Sequence, residues 1–514
     1  MKRLFVSLLC LLALAARAQS DSPRLGDGLW YWAMARGSLS SGDYAPFWFT
    51  ANQHGLSTPN PKSGLIDVGV STFTPCPFTQ KNKDWRLGYG LEAAAPFGMD
   101  SHFVLQQLYG EIEWKNLRLS LGQKIRPMEL KNNMLSTGGL TTGINARPLP
   151  QVRLEVPRFV AIPGTKQWLA VKAHLAYGWY TDNGWQREFT RGANTKYTAG
   201  SRYHSKAGFL RIGNREKFPL TLTGGFEMSC QFGGEAWNLM HSLNSKEGAT
   251  TYNEKIASGA KAYWDAFIPG GNDSNDGDFN NKAGNQLGSW HARLDYYNQS
   301  DLNDQETRAS IYMEHFFEDQ SQLFMQYAWK DMLIGIELNP PLRPYIDAFV
   351  FEAMVTKDQS GPIYHDATPT LPVQISAVDE YYNNHIYGAW QHAGFVMGNP
   401  LFLSPIYNFN DRNEIYAFHN RLKSLHVGLS GAATSYLDWK LMLTRMESLG
   451  TYQRPLLDPQ KGTYLLAGVS YKVHHVEGLR IDLSYGHNHG SLLGRSNGAM
   501  LTVVYSNPIN PKHP

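Results

Sequence analysis

The sequence has few cysteines and, beyond its N-terminus, no long apolar run. Only Cys10, Cys76 and Cys230 occur among 514 residues, too few for a disulfide-stabilised scaffold. No stretch of about 18 apolar residues follows residue 18, which excludes helical membrane spans. Charge of one sign is not in large excess either, since the formal net charge is +3. The composition therefore gives no nucleic-acid-binding footprint.

The first 18 residues have the pattern of a secretory signal peptide. Lys2 and Arg3 precede an apolar run over residues 4–15, and small residues lead to a cleavage site between Ala18 and Gln19. This segment holds three of the 47 basic residues and none of the 44 acidic ones, so residues 19–514 carry 44 of each. Export would remove Cys10, and the sequence leaves open whether Cys76 and Cys230 pair.

A period of two is the strongest pattern in the rest of the chain. In residues 85–93, one face of a predicted strand is apolar and aromatic, formed by Trp85, Leu87, Tyr89, Leu91 and Ala93. The opposite face holds Arg86, Gly88, Gly90 and Glu92. Alternation of this kind over about ten residues is typical of membrane-spanning β-strands, with the apolar face toward lipid and the polar face toward a wet lumen.

The same alternation recurs in other segments. Residues 168–180 form a second example, and residues 465–473 and 479–485 form a hairpin around the turn 474–478. Aromatic residues at strand ends are placed for interfacial girdles, namely Trp114, Trp179, Tyr180 and Tyr485. Four polar stretches are expected to be extracellular loops: 182–204, 239–260, 270–290 and 357–385.

These patterns predict an all-β fold, a transmembrane antiparallel β-barrel of the outer membrane. No linker-like change of composition interrupts the chain. We therefore expect residues 1–18 to be a signal peptide and residues 19–514 to form a single barrel domain with long extracellular loops. The predicted location is the outer membrane of a Gram-negative bacterium, with outer-membrane lipid around the barrel.

Catalytic and metal-binding constellations are weak. The acid pairs Glu318-Asp319 and Asp379-Glu380 are adjacent in sequence, so their side chains would point to opposite faces of a strand and not across a glycosidase cleft. His487 and His489 lack a third ligand, and the acidic stretch 273–278 lacks the glutamate spacing of a calcium loop. We expect no enzymatic activity, no cofactor and no metal site.

Carbohydrate binding fits the loop composition better than catalysis does. Aromatic faces stack on sugar C–H surfaces, while Asn, Gln, Asp and Arg side chains bond hydroxyls and carboxylates. The residues that supply these groups and that we predict to bind polysaccharide are Asn145, Arg147, Gln359, Tyr381, Tyr382, Asn383, Asn384 and Arg421. The same residue types are also common in ordinary loops, girdles and lumen networks.

Short motifs along the chain resemble the capsule assembly Wzi family, in particular the forms found in Bacteroides-like bacteria. In chain order the motifs are Ala35-Arg36-Gly37, Pro46-Phe47-Trp48, residues 51–55, residues 143–151, residues 315–321, residues 358–362, residues 381–384, Gly398-Asn399-Pro400 and Asn420-Arg421. They cover nearly the whole chain after the signal segment.

The resemblance implies an occluded outer-membrane barrel of about 18 strands. It also implies a lectin that tethers capsular polysaccharide or exopolysaccharide to the cell surface, without catalysis and with the polysaccharide export machinery as a further partner. Residues 19–514 allow roughly 28 residues for each strand and its connection, which suits strands of about ten residues.

Two other functions remain open on the sequence. A diffusion porin or transporter would suit the charged inward-facing side chains, such as Arg86, Glu92, Glu111, Glu113 and Arg118. A secreted all-β enzyme acting on glycans is the second alternative. Single-channel conductance would distinguish the porin, and cell fractionation would distinguish the secreted enzyme.

Overall fold

The computed structural model describes residues 28–75, 84–240, 250–269, 284–298, 307–318, 330–340, 345–365, 375–410 and 413–509. The predicted signal segment, Cys10, Cys76 and the acidic stretch 273–278 lie outside these residues. Among the described residues, no helix has the length and apolar character that crossing a membrane requires.

Eighteen antiparallel strands, β1 to β18, form the main sheet. The first nine are Gly28–Ser41, Lys62–Pro75, Trp85–Phe97, Val104–Trp114, Leu117–Gln123, Pro150–Ala161, Leu169–Trp179, Arg202–Ile212 and Leu220–Phe232. The second nine are Asn285–Asn298, Thr307–Glu318, Met332–Asn339, Ala348–Val355, Leu422–Thr434, Leu437–Gly450, Pro455–Lys472, Leu479–Gly490 and Ser496–Ile509. Three short helices lie in the connections: α1 (Phe47–Thr50), α2 (Trp185–Thr190) and α3 (Ala260–Phe267).

The sheet closes on itself. Each strand pairs with its neighbours in the chain, and β1 pairs with β18 through residues such as Trp32 and Ser506. Closure matters because a free edge would leave backbone N–H and C=O groups without partners in lipid. The predicted hairpin of residues 465–485 is confirmed as β16 and β17.

The two faces of the wall are the ones that the alternation predicts. On β3, Tyr89 and Leu91 are 52% and 45% exposed on the outer surface. Arg86 and Glu92 point inward and are buried. The period of two therefore separates a lipid-facing apolar surface from a polar interior along this strand.

Short and long connections lie at opposite ends of the barrel. The turn between β4 and β5 is Lys115 and Asn116 alone, whereas residues 356–421 separate β13 from β14. Outer-membrane barrels have short periplasmic turns and long extracellular loops, so the end with the long connections is assigned as extracellular. Described parts of all four predicted loop stretches lie at or near this end, although residues 202–204 and 285–290 belong to β8 and β10.

The predicted aromatic girdle is only partly correct. Trp179 and Tyr485 are 44% and 46% exposed on the outer surface. Tyr180, however, is buried, and its ring packs edge-on against Tyr203 and His392 in the interior. The period of two accounts for this, because Tyr180 follows the outward-facing Trp179 and therefore lies on the lumen side, as His174 and Ala176 do.

A helix replaces lipid on one part of the outer wall. At the extracellular ends of β7 to β10, α3 packs against outward-facing side chains. The Tyr177 hydroxyl donates to the Tyr263 carbonyl at 2.9 Å, and Lys206 Nζ donates to the Phe267 carbonyl. Cys230 is completely buried beneath this helix. The helix thus supplies partners for polar groups that lipid could not satisfy.

Residues 124–149, here called plug loop 1, leave the wall after β5 and enter the lumen. Glu352 on β13 accepts hydrogen bonds from Ser136 Oγ at 2.6 Å and from the Thr137 amide and hydroxyl at 2.7 Å. Glu314 on β11 accepts the Leu140 amide at 2.7 Å and pairs with Lys131. Buried carboxylates on the wall therefore fasten this loop inside the barrel.

Residues 379–409, here called plug loop 2, pack on plug loop 1 and enclose the largest apolar cluster. Trp390, Phe402 and Leu135 are completely buried in it, together with Phe47 of α1, which stacks on Tyr464 at 4.6 Å. These segments fill the lumen at this level, so the described part of the structure is an occluded barrel. This agrees with the occlusion expected from the family resemblance.

Candidate functional site

Four of the eight residues predicted to bind polysaccharide are buried between the plug loops. Asn145 is 1% exposed, and Gln359, Tyr381 and Tyr382 have no exposed surface. The Asn145 amide nitrogen donates to the Val396 carbonyl at 2.9 Å, and its oxygen accepts the Asn52 amide at 3.0 Å. In this conformation these side chains offer no surface to a polymer.

Tyr382 connects the two plug loops. Its hydroxyl donates to the Leu140 carbonyl and accepts the Asn399 amide at 2.8 Å, while its own amide donates to Glu318 at 2.7 Å. Gly398 makes this approach possible, because a Cβ atom there would lie 1.8 Å from the Tyr382 oxygen. Tyr381 has a simpler role, in which its hydroxyl donates to Asp331 at 3.3 Å.

The other four predicted residues are partly exposed and lie in separate places. Arg147 lines a cavity inside the lumen. Asn383 pairs with the backbone of Ala417 at 2.8 and 3.0 Å, and the side-chain oxygen of Asn384 accepts the Ile386 amide at 2.9 Å. Arg421 stacks on Tyr452, with its guanidinium carbon 3.7 Å from the ring centre. The structure therefore does not bring the eight residues together into one site.

A groove of about 650 Å³ opens at the extracellular end between three connections, and it is the better candidate site. Trp185 and Phe189 of α2 stack at 4.6 Å, and Phe409 contacts Phe189 edge-on at 5.7 Å. Phe103, from the connection between β3 and β4, is 65% exposed at the same groove. These rings form an apolar floor on which a sugar ring can stack.

The local sequence explains how α2 holds its rings. Asp182 accepts the amides of Gly184 at 3.0 Å and Gln186 at 3.3 Å, so it satisfies two donors at the start of the helix. Gly394 lies directly against Trp185, and a Cβ atom there would be 2.7 Å from the indole ring. Plug loop 2 thus supports the groove from below.

The polar lining of the groove is acidic. Asp100 accepts the Trp185 indole N–H at 3.0 Å, and Asp182 and Glu188 also line the opening. Arg191 lies 3.4 Å from Glu188 but does not line the groove. Carboxylates accept hydrogen bonds from hydroxyl groups and repel other carboxylates. The groove therefore suits neutral or amino sugars better than uronic acids.

A charged cluster borders the groove beside Asn413 and includes the next residue, Glu414. Arg454 pairs with Glu414 at 2.8 Å, and Tyr416 donates to Glu380. Lys196 Nζ donates to the Asn384 and His385 carbonyls at 2.9 and 2.8 Å. Burial lowers the pKa of Lys196 to about 8, against the opposing attraction of Glu380 and Glu414.

Sequence reasoning missed the groove residues. The polar composition predicts a loop over residues 182–204. It predicts neither the short helix α2 within that loop nor the position of Trp185 at the groove. Asp100 and Trp185 are 85 residues apart. Aromatic residues beside acids in predicted loops were the only available signal, and the sequence contains many of them.

The acid pairs and histidines considered as catalytic or metal-binding groups either have other contacts in the structure or lie outside the described residues. Glu318 accepts the Tyr382 amide, and Glu380 accepts the Tyr416 hydroxyl. His487 and His489 stack in parallel, with ring centres 6.5 Å apart. Among the described residues, no group of three or more His, Cys, Asp or Glu side chains is arranged to hold a metal ion.

Neither a protein-family model nor a curated protein matches the chain. A solved structure of Wzi from Escherichia coli, described as a carbohydrate-binding β-barrel involved in group 1 capsule assembly, is similar with a TM-score of 0.56 and 14% identity. That match covers 93% of this chain and 84% of Wzi.

Two further solved structures are less similar. OccAB4 of Acinetobacter baumannii matches with a TM-score of 0.45 and 9% identity, over 95% of this chain and all of that one. OprD of Pseudomonas aeruginosa matches with a TM-score of 0.44 and 9% identity, over 96% of both chains. At these identities only the fold is shared. With its closed sheet of 18 strands and its likeness to Wzi, this chain has the fold of an outer-membrane β-barrel.

Proposed function

We propose that this protein is an outer-membrane lectin that binds capsular polysaccharide or exopolysaccharide and anchors it at the cell surface. The polymer lies in the extracellular groove, with sugar rings stacked on Trp185 and Phe409. Hydroxyl groups donate to Asp100 and Asp182. The proposal includes neither catalysis nor a cofactor, and contact with the polysaccharide export machinery stays a prediction.

The observation that carries this proposal is the groove itself. It combines an apolar aromatic floor with several carboxylate acceptors, which is the chemistry that a polyhydroxylated ring requires. A long polymer can engage many copies of such a groove on one cell, so weak contacts add up to firm retention. The likeness to a carbohydrate-binding barrel supports the same conclusion at the level of fold.

In this proposal the buried residues predicted to bind polysaccharide have a structural role and do not contact the polymer. Asn145, Tyr381 and Tyr382 hold the plug loops on which the groove rests, and Gln359 is buried beside them, where its backbone amide donates to Asp331. Asn383, Asn384 and Arg421 lie nearer the surface and remain candidates for secondary polymer contacts. Arg147 lines the internal cavity, away from the groove.

A porin is the alternative function. The packed plug loops favour the lectin, because they fill the lumen with buried side chains at the level of Trp390 and Leu135. Conductance in a planar bilayer tests this directly. We expect no steady channel current, and a large steady current would favour the porin.

The anchoring role is tested by the distribution of polymer between washed cells and medium. Deletion of the gene should move intact polysaccharide into the medium, and the wild-type gene should restore its attachment. Trp185→Ala should weaken binding of purified polymer about 5- to 10-fold, the equivalent of one aromatic contact of about 1–1.4 kcal/mol.

Trp264→Ala is the matched control. Trp264 is 47% exposed, but it lies on α3 on the outer wall, away from the groove. This variant should retain polymer like the wild type. Thermal unfolding should show that both variants are folded, with a lower unfolding temperature for Trp185→Ala because the Trp185 ring packs on Phe189 and Gly394. An unchanged polymer distribution after gene deletion would contradict the anchoring role, and equal effects of the two variants would contradict the groove as the binding site.

A further inference from the structure

A second cavity, of about 100 Å³, lies inside the barrel between the start of plug loop 1 and the wall of β6 to β9. Here it is called the lumen cavity. Four basic side chains line it: Lys124, Arg126, Arg147 and Arg153. It is separate from the extracellular groove and has no role in the proposed function.

Basic groups outnumber acidic groups around the lumen cavity. Taken together, its lining residues and the ion-pair network that extends from them through Glu111, Glu113 and Glu155 include seven basic side chains, Arg118, Lys124, Arg126, Arg147, Arg153, Arg158 and Lys172. They include five acidic side chains, Glu111, Glu113, Glu129, Glu155 and Glu227. Two positive charges are therefore in excess even when every carboxylate is ionised.

Several of these cations have a carboxylate partner. Lys124 lies 2.6 Å from Glu111, and Arg153 lies 2.7 Å from Glu155. Arg118 and Arg158 share Glu113 at 2.7 and 2.8 Å, and Lys172 lies 2.6 Å from Glu129. Two guanidinium groups remain, those of Arg126 and Arg147, and the Asp100 carboxylate outside the cavity lining attracts Arg147.

Arg126 is the less satisfied of these two. It donates to the Lys124 carbonyl at 3.1 Å and to Ser120 Oγ at 3.0 Å, which are both neutral acceptors. Its Nε atom is buried without a hydrogen-bond partner. Burial, reinforced by the repulsion of Arg153, lowers the pKa of Arg126 to about 10. An uncompensated guanidinium of this kind is costly in a site with restricted access to water.

We propose that the lumen cavity binds a small oxyanion at Arg126, with Arg153 lining the same cavity on the wall. The class comprises inorganic phosphate, sulfate and simple carboxylates, because a guanidinium group donates paired hydrogen bonds to the oxygen atoms of such anions. A bound oxyanion would join the first residues of plug loop 1 to strand β6. The small volume excludes a polysaccharide chain.

Thermal unfolding of the purified barrel in detergent tests this inference. Sodium chloride is replaced stepwise by sodium phosphate, sodium sulfate or sodium acetate at constant ionic strength. We expect the unfolding temperature to rise by a few degrees and to saturate with phosphate or sulfate, as it does for a ligand that binds only the folded state. A response to acetate alone would identify the site as one for carboxylates.

Arg126→Gln distinguishes an anion site from a structural arginine. This variant removes one of the two excess charges, so its unfolding temperature in chloride should equal or exceed that of the wild type, and the phosphate effect should disappear. Arg480→Gln is the control, since Arg480 pairs with Asp482 on another part of the wall and should leave the phosphate effect intact.

Isothermal titration of the wild-type barrel with phosphate covers the case in which Arg126→Gln does not fold. Saturable heat with one site per barrel supports the inference. A wild-type unfolding temperature that does not respond to any of the three anions would overturn it, and so would an equal phosphate response in Arg126→Gln.

Discussion

The plug loops and the extracellular groove use the same kinds of residue for different purposes. Tyr381 and Tyr382 are completely buried and use their hydroxyls on internal partners. Trp185 of α2 and Phe409 at the end of plug loop 2 line the groove and keep part of their rings open to solvent. Aromatic residues near acids therefore occur in both regions.

The difference between the regions lies in what surrounds the rings. In the plug, the Asp331 carboxylate bonds the Tyr381 hydroxyl, and backbone groups of Leu140 and Asn399 bond the Tyr382 hydroxyl. In the groove, the carboxylates of Asp100 and Asp182 retain acceptor capacity toward solvent. A binding site is thus recognised by its unfilled surface and not by its residue types.

The largest expected effect comes from removing a buried carboxylate that fastens the plug. Glu352→Ala leaves the Ser136 hydroxyl, the Thr137 amide and hydroxyl, and the Tyr312 hydroxyl without their acceptor. We expect a loss of about 3–5 kcal/mol in the free energy of unfolding. Urea unfolding in detergent measures it.

Glu352→Gln is the matched control, because it keeps one acceptor oxygen and the side-chain volume. Its loss of stability should be smaller than that of Glu352→Ala. If both variants are as stable as the wild type, these hydrogen bonds do not fasten plug loop 1.

A smaller effect distinguishes the two plug tyrosines. Tyr382→Phe removes a hydroxyl that both donates to Leu140 and accepts from Asn399, so it should cost about 1–3 kcal/mol of unfolding free energy. Tyr381→Phe removes only the 3.3 Å bond to Asp331 and should cost less. Thermal unfolding compares the two variants.

Polymer binding completes this comparison. Both phenylalanine variants should bind purified polymer like the wild type as long as they are folded. A folded Tyr382→Phe variant that loses polymer binding would move the site from the groove to the plug.

The smallest effect is a pH dependence beside the groove, because Lys196 is only partly buried and solvent screens its charge. The pKa of Lys196 is about 8 in the folded protein and about 10.5 in the unfolded chain, so the unfolded state binds more protons between these values. Stability should therefore rise as the pH increases from 8 to 10.5. Lys196→Gln should reduce this rise, as measured by unfolding temperature against pH, and an unchanged profile would show that Lys196 remains fully hydrated.

Much of the barrel wall could be predicted from local pattern. The outward face of residues 85–93 and the hairpin of β16 and β17 follow from a period of two, because neighbouring side chains on a strand point in opposite directions. Tyr180 also follows the period of two, since it comes after the outward-facing Trp179 and lies in the interior.

The plug and the groove could not be predicted in the same way. Tyr382 and Leu140 are 242 residues apart, and Trp185 and Asp100 are 85 residues apart. Local composition predicted Tyr381 and Tyr382 as exposed loop residues, because aromatic and amide side chains are common at sugar-binding surfaces. Their burial depends on which distant backbone groups are available to bond them.

The sequence by itself determined the all-β class, the lipid-facing and lumen-facing sides of the strands it marked, and the stretches that would leave the wall. Only the tertiary structure decided which of those stretches fold inward as plugs and which remain at the extracellular end around an open groove. Alternation is a local property of the chain, whereas the path of a loop is set by hydrogen bonds and packing between residues far apart in sequence.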